Sequence, residues 1–143
     1  MIHKTGLLLL VAISAFLAGA FLNPRTNAEA QAMTHVYELR TYTSPDGKLN
    51  DLLARFGGGE IDLFHKHGME SVGYWVPQEE PLSENTMVYI VRHESREAAD
   101  ASWRGFGQDP EWHAMRDESE RDGRLTSNVE RLFLDPTNFS PAR

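Results

Sequence analysis

Three polar side chains that could hold a substrate alternate along one stretch of the sequence, Val36–Thr43. Glu38, Arg40 and Tyr42 share one face of a predicted strand, and the residues between them are mostly apolar. An Arg and a Glu two residues apart could orient a carboxylate or enolate, with Tyr42 as hydrogen-bond donor or acid. The alternative is an ion pair that fixes the register of strands or subunits. Either way, we expect helices on the apolar face and a pocket or partner on the polar face.

His67 is a further candidate for acid–base chemistry. It ends the predicted helix Leu49–His67, where it could act as a base or cap the last carbonyls. His65 lies roughly 160° away around the same helix at 100° per residue, which excludes a His-x-His metal site. Glu60 is two helical turns from His67, about 10 Å, too far for direct contact. The helix therefore predicts neither a metal site nor a paired acid and base.

The elements that must position these residues follow the order β-α-β-β-α-β. The predicted strands are Val36–Thr43, Met69–Val76, Thr86–His93 and Asn128–Leu134. Between the last two, a helix capped by Ser95 breaks near residues 107–109 and restarts with Asp109 as N-cap and Pro110 at the first helical position. This order predicts an α+β, ferredoxin-like fold with a four-stranded antiparallel sheet. With helices on one face only, we expect a second copy to bury the other face.

Two details of these elements bear on the site. Gly57–Gly59 interrupts the first helix at a cost of roughly 1 kcal/mol per glycine, so the helix should be weak, kinked or open there. On the second strand, the alternating residues Met69, Ser71, Gly73 and Trp75 are suited to lining a cavity, which adds Trp75 to the predicted ligand-binding residues Glu38, Arg40 and Tyr42. Residues 78–85 are predicted to be a polar loop, and His93 and His113 are predicted to face solvent.

The first 32 residues have the layout of a secretory signal peptide. Residues 7–22 carry no charge, and two Ala-x-Ala sites follow at residues 28–32. The alternative is an uncleaved membrane anchor formed by residues 7–22. We therefore expect one domain over residues 33–136, a polar tail over 137–143, and a periplasmic or secreted location. A membrane contact is expected only if the leader stays uncleaved.

Composition excludes several classes of function. Without the leader the chain has 12 basic and 20 acidic residues, which argues against nucleic acid or an anionic membrane as partner. The sequence contains no cysteine, so disulfides, thiolate-bound metals and thiol nucleophiles are excluded. Stability must come from the core or from oligomerisation.

Four segments together resemble the NIPSNAP family over about residues 35–135. They are Tyr37–Tyr42 (YELRTY), Leu63–Met69 (LFHKHGM), Val72–Trp75 (VGYW) and Asp109–Trp112 (DPEW). The resemblance implies a dimeric α/β-barrel fold with a pocket between the inner face of each sheet and its helices. It also implies relatives that include cofactor-independent monooxygenases, haem-degrading enzymes, lactone isomerases and binding proteins. Gly57–Gly59 departs from the polar, helix-favouring residues of the family, which puts any role of that segment in doubt.

These observations predict an exported homodimer that binds a small apolar or aromatic molecule or a protein, without established catalysis. The alternative is a cofactor-independent monooxygenase or isomerase acting on a small enolisable or aromatic substrate. In that case Arg40 and Tyr42 would hold the substrate and His67 would be the base. In haem-degrading relatives a histidine ligates the iron, but His67 alone is too little to predict haem, and no cofactor is expected.

Overall fold

The computed structural model describes residues 35–142, so the predicted leader lies outside the described residues. The strands are β1 (Val36–Thr43), β2 (Glu70–Trp75), β3 (Thr86–His93) and β4 (Asn128–Leu134). The α-helices are α1 (Leu49–Arg55), α2 (Ile61–Lys66), α3 (Leu82–Asn85), α4 (Arg96–Gln108) and α5 (Pro110–Ser119), with a π-helical turn at Phe56–Glu60. The predicted α+β order is confirmed. The short helix α3 replaces part of the predicted loop.

The four strands form one antiparallel sheet in the order β2-β3-β1-β4. In β1, the central residue Leu39 pairs with Ile90 of β3 on one side and Leu132 of β4 on the other. Arg40 likewise pairs with Tyr89 and Arg131. This is the strand order of a ferredoxin-like fold, because the two central strands, β1 and β3, are each followed by a helix.

A β-bulge in β2 separates residues that simple alternation would place together. Ser71 pairs with Val91, whereas Gly73 pairs with the adjacent residue Ile90, so Val72 is the extra residue. Ser71 therefore lies on the helix-covered side of the sheet, and Gly73 and Trp75 lie on the opposite side. The prediction that Met69, Ser71, Gly73 and Trp75 share one face is wrong, because one inserted residue reverses the faces.

The first predicted helix is opened at its glycines into a π-helical turn. The amide of Ile61 donates to the carbonyl of Phe56, five residues earlier. Gly59 has a φ of 135°, which favours glycine, and a Cβ there would lie 2.9 Å from the Cε of Met115. The turn keeps both of its ends, Phe56 and Glu60, buried. The predicted interruption of the helix is thus confirmed.

The helices cover one face of the sheet and leave the other face open. Phe64 and Leu52 from the first helical segment are fully buried against Tyr89 and Val91 of β3. The open face carries the other set of side chains from the same strands, including the half-exposed Trp75. Since β1 and β3 lie at the centre of the sheet, each presents one row of residues to the core and one to the open face.

Two predicted caps hold the second helical segment in place. Ser95 Oγ accepts from the amide of Ala98 at the start of α4. Asp109 Oδ1 accepts from the amide of Glu111, with Pro110 at the first position of α5. Within residues 35–142 there is no helix that combines the length and apolar character needed to cross a bilayer.

Candidate functional site

Glu38 is the centre of a buried polar network beneath α4. Its carboxylate accepts from His93 Nε2 at 2.9 Å, Trp103 Nε1 at 2.5 Å and the Arg40 guanidinium at 3.1 Å. Both Glu38 and His93 are almost completely buried. We call these four residues the Glu38 network. The prediction that His93 faces solvent is wrong, because residue 93 falls on the core side of β3 and its imidazole has the carboxylate of Glu38 as partner.

The network holds Glu38 in its charged form. Burial raises the pKa of this carboxyl, but hydrogen bonds from His93 and Trp103 and the charge of Arg40 outweigh it, so the pKa is lowered. The Arg40 guanidinium lies 3.9 Å from the centre of the Trp103 ring. The polar face of β1 therefore packs under the helices, and its ion pair lies within one chain. We expected helices on the apolar face instead.

A second buried polar group lies beside the first, under the π-helical turn. Arg55 Nε donates to Glu60 at 2.8 Å, and Arg55 also contacts Glu120 at 3.2 Å. Deeper in the core, Tyr89 donates from its hydroxyl to that of Tyr42 at 3.0 Å. Burial, and to a smaller extent the charge of Glu60, raises the pKa of Tyr42, Tyr74 and Tyr89, so the carboxylate lies within electrostatic range of all three. The Glu60 cluster is defined here as Glu60, Arg55, Arg40, Tyr42 and Tyr89.

Glu60 has the pKa of a group that changes charge near neutral pH. Burial raises the pKa of its carboxyl to about 7, although Arg55 and Arg40 act to lower it. The π-helical turn causes this burial, because it directs residue 60 into the core after the exposed glycines 57 and 58. A carboxyl of this kind can accept and release a proton under ordinary conditions.

His67 lies apart from both groups and joins α2 to the junction of α4 and α5. Its Nε2 donates to Asp109 at 2.7 Å, and Lys66 contacts the same carboxylate at 2.9 Å. The bond from Lys66 and, next in size of effect, the bond from His67 hold the pKa of the Asp109 carboxyl well below its usual range. A Cβ on Gly105 would lie 2.9 Å from His67 Nδ1, so the ring packs closely against α4. The Asp-Pro-Glu-Trp segment therefore fixes this corner.

The structure does not bring the predicted ligand-binding residues into one pocket. Glu38, Arg40 and Tyr42 are together under the helices, whereas Trp75 lies on the open face and is 50% exposed. A Cβ on Gly73 would lie 2.6 Å from the Trp75 ring, which rests on the open side of β2. The prediction that these four residues line one cavity is therefore wrong, because the bulge in β2 turns Trp75 outward. Their roles in binding stay predictions.

An apolar groove lies on the open face. It has a volume of about 380 Å³ and lies between one end of the sheet and the C-terminal segment. The sheet contributes Tyr37, Val72, Ile90 and Leu134, and the segment contributes residues that include Pro136 and Ala142. Its size and apolar lining are typical of sites for small molecules. We call it the Tyr37 groove.

The described residues contain no cluster of three or more His, Asp or Glu side chains arranged to hold a metal ion. Sequence reasoning missed His93, Trp103 and Glu60 as members of the buried polar groups. For His93 a signal was present, since it alternates in phase with the core residues Tyr89 and Val91 of β3. For Trp103, its place in the helix after Ser95 did not indicate its polar partner Glu38.

The family can now be stated from comparison with known proteins. The NIPSNAP family model matches residues 37–141, which include β1 and the Asp109–Trp112 segment. The chain belongs to the NIPSNAP family. No curated protein sequence matches this NIPSNAP chain.

Solved structures agree with the fold. A NIPSNAP family protein of unknown function from Agrobacterium tumefaciens is 26% identical, with a TM-score of 0.67, over 78% of this chain and 96% of that one. A second A. tumefaciens NIPSNAP protein is 24% identical, with a TM-score of 0.66, over 76% and 99% of the two chains. A Streptomyces coelicolor monooxygenase in complex with nanaomycin D is 18% identical, with a TM-score of 0.53, over 74% and 90%. The chain therefore shares an α+β fold with them, a four-stranded antiparallel sheet with helices, and these neighbours have dimeric α/β-barrel folds.

Proposed function

We propose that this NIPSNAP protein is an exported homodimer that binds a small apolar or aromatic molecule in the Tyr37 groove. The contrast between the two faces of the sheet carries the proposal. The charged candidates Glu38 and Arg40 are paired within the core, whereas Tyr37, Val72 and Ile90 line an apolar groove on the open face. An apolar groove of about 380 Å³ suits a small hydrophobic ligand better than a charged one.

A fluorescence titration with 1-anilinonaphthalene-8-sulfonate tests the groove. We expect saturable binding with one site per chain, and loss of that site in Val72→Trp, whose indole would fill the groove. Val129→Trp is the matched control, because Val129 is also exposed but lies on the Tyr42 side of the sheet, away from the groove. Equal loss of binding in both variants, or in neither, would contradict the proposal.

The homodimer is supported by the exposed apolar row on the remaining open face. Leu39 and Leu132 are neighbours on β1 and β4, beside the groove residue Ile90, and Leu132 is 57% exposed. A contiguous apolar surface of this kind is typical of a protein interface, and a two-fold axis would pair the row with itself. Leu132→Arg should therefore give a monomer in sedimentation equilibrium, while Val129→Arg should leave the dimer intact. A wild-type monomer would overturn this part of the proposal.

Export is supported by the leader sequence. N-terminal sequencing of the protein recovered outside the cytoplasm should find a chain that begins after Ala30 or Ala32. A membrane-bound chain that retains residues 7–22 would show the anchored alternative instead.

A second candidate function is a cofactor-independent monooxygenase or isomerase, and the Glu60 cluster favours it. A buried carboxyl with a pKa raised to about 7 is better placed as a base than His67, whose Nε2 is bonded to Asp109. Glu60 would take a proton from carbon next to a carbonyl, and Arg40 would hold the enolate. An isomerase returns the proton at another carbon. A monooxygenase would let the enolate react with O₂, converting a CH₂ group to a carbonyl with release of one water.

Turnover separates the two candidates. Oxygen uptake or isomerisation with a small hydroxylated aromatic ketone should be lost in Glu60→Gln and retained in His67→Gln if the enzyme interpretation holds. No turnover by the wild-type protein over a panel of such ketones would favour the binding function.

A further inference from the structure

The π-helical turn has more glycine than its packing requires. Gly59 needs to be glycine because of its φ of 135° and the nearby Met115 side chain. At Gly57 and Gly58, in contrast, a Cβ would meet no atom within 4 Å, and both residues are exposed. Three consecutive glycines lower the cost of leaving the helical conformation. We therefore expect this segment to open locally more readily than α4 or α5.

Opening this turn would uncover an aromatic and polar interior. The ring of Phe56, at the start of the turn, packs edge-on against Tyr42, Tyr74 and Tyr89, with centroid distances of 5.9, 5.8 and 5.4 Å. Glu60, at its end, supplies a buried carboxylate. Movement of the turn would thus remove one aromatic ring from the three tyrosines and free the space that this ring fills.

One donor in this interior has no partner. Arg40 Nε is buried and has no hydrogen-bond partner among residues 35–142, although its guanidinium contacts Glu38 through another nitrogen. A buried donor without a partner is costly, so a ligand oxygen that reaches it would gain more than the same oxygen at the surface.

We propose that the Glu60 cluster is a second binding site, for a small phenol or enol that enters when the π-helical turn opens. The aromatic ring of the ligand takes the position of Phe56 against the tyrosines. Its hydroxyl donates to Glu60, and Arg40 Nε donates to the same oxygen. This inference concerns binding at a site other than the Tyr37 groove. It rests on the second candidate function only for the reaction that the bound molecule would undergo.

The charges around Glu60 fit such a ligand. Arg55 faces it from α1, Arg40 and Tyr42 from β1, Tyr89 from β3, and Glu120 from the end of α5. Arg40 is already paired with Glu38, and Arg55 with Glu60 and Glu120, so the site suits a neutral hydroxyl that donates to Glu60 better than an anion. An aromatic carboxylate would instead place a full second negative charge beside Glu60 and is expected to bind worse.

The probe is 4-nitrophenol, with nitrobenzene as the analogue that lacks the hydroxyl. Equilibrium dialysis against the full chain should give about tenfold weaker binding for nitrobenzene, and about tenfold weaker binding of 4-nitrophenol to Glu60→Gln. Val72→Trp fills the Tyr37 groove and removes any binding there, and in that background Glu60→Gln should still weaken 4-nitrophenol binding about tenfold. Loss of binding in Val72→Trp with retention in Glu60→Gln would assign the phenol to the groove and overturn the inference, without touching the proposed function.

Hydrogen exchange followed by mass spectrometry tests the opening on the wild-type protein. Amides of residues 57–61 should exchange faster than those of α4, and the Gly57→Ala, Gly58→Ala variant should slow them roughly two- to fivefold for each alanine. Gly107→Ala is the matched control, because a Cβ there also meets no atom within 4 Å. The double variant should also slow the association of 4-nitrophenol. Protection of residues 57–61 equal to that of α4 would overturn the inference.

Discussion

The two faces of the sheet reverse the usual arrangement, because the face of β1 that carries charges is buried under the helices and its apolar face is open. The helix-covered face carries Glu38 and Arg40, and the open face carries Leu39 and the half-exposed Trp75. Charged residues can be buried here because each one meets a partner: Glu38 alone accepts three hydrogen bonds. Among residues 35–142, no helix covers the apolar residues on the other face. Partners, rather than hydrophobicity, decide which face of β1 is inside.

The largest expected effect comes from breaking the Glu38 network. Glu38→Gln removes the charge that His93, Trp103 and Arg40 share, and we expect a loss of about 3 kcal/mol or more in the free energy of unfolding. Denaturation in urea measures it. The control is Glu130→Gln on the open side of β4, where the exposed carboxylate accepts from Asn128 and the change should stay within about 0.5 kcal/mol. Equal effects at the two glutamates would remove the contrast between the faces.

The pH dependence of stability sharpens the comparison at Glu60. Its pKa is about 7 in the folded chain against an ordinary value of 4.5, so it binds a proton more tightly when folded. Its contribution to stability is therefore fully present below pH 4.5 and is lost as the pH rises through about 7. Relative to wild type, Glu60→Gln should gain about 3 kcal/mol between those limits. A constant difference between wild type and variant across that range would show that Glu60 is not buried as described.

Alanine substitutions at two neighbouring glycines of the π-helical turn should change the stability of the protein less, and in opposite directions. Gly59→Ala should destabilise the protein by about 1–3 kcal/mol, because of its positive φ and the approach of Met115. Gly58→Ala should stabilise it by roughly 0.4–1 kcal/mol, since no atom obstructs the new methyl group. Thermal unfolding of both variants side by side provides the measurement. The same sign at both positions would mean that the turn differs in solution.

The smallest expected effect is on the open face. Leu132→Ser should change the stability of the isolated chain by less than about 1 kcal/mol, because the side chain is 57% exposed. Comparing unfolding at low and high protein concentration separates this effect on the isolated chain from any contribution of self-association to stability. A loss comparable with that of Glu38→Gln at every concentration would show that this face is covered within one chain.

The sequence predicted the fold well because its signals are local. Period-two alternation predicted β1, β propensity predicted β3, and Ser95 and Asp109 predicted both caps that the structure shows. Each signal depends on a few adjacent residues, and the order of the elements then leaves few topologies. The NIPSNAP family assignment rests on the family model that matches residues 37–141.

Only the tertiary structure decided which residues meet. One inserted residue at Val72 turned Trp75 away from Arg40, and a bulge of this kind leaves no clear mark in the alternation of β2. The sequence identified Glu38, Arg40 and Tyr42 as one face of β1, but the side on which the helices pack depends on contacts with distant residues such as Trp103. The sequence placed Glu60 in the first predicted helix. Its burial and its pKa near 7 depend on the π-helical turn and on Arg55, whose geometry forms only when the chain is folded.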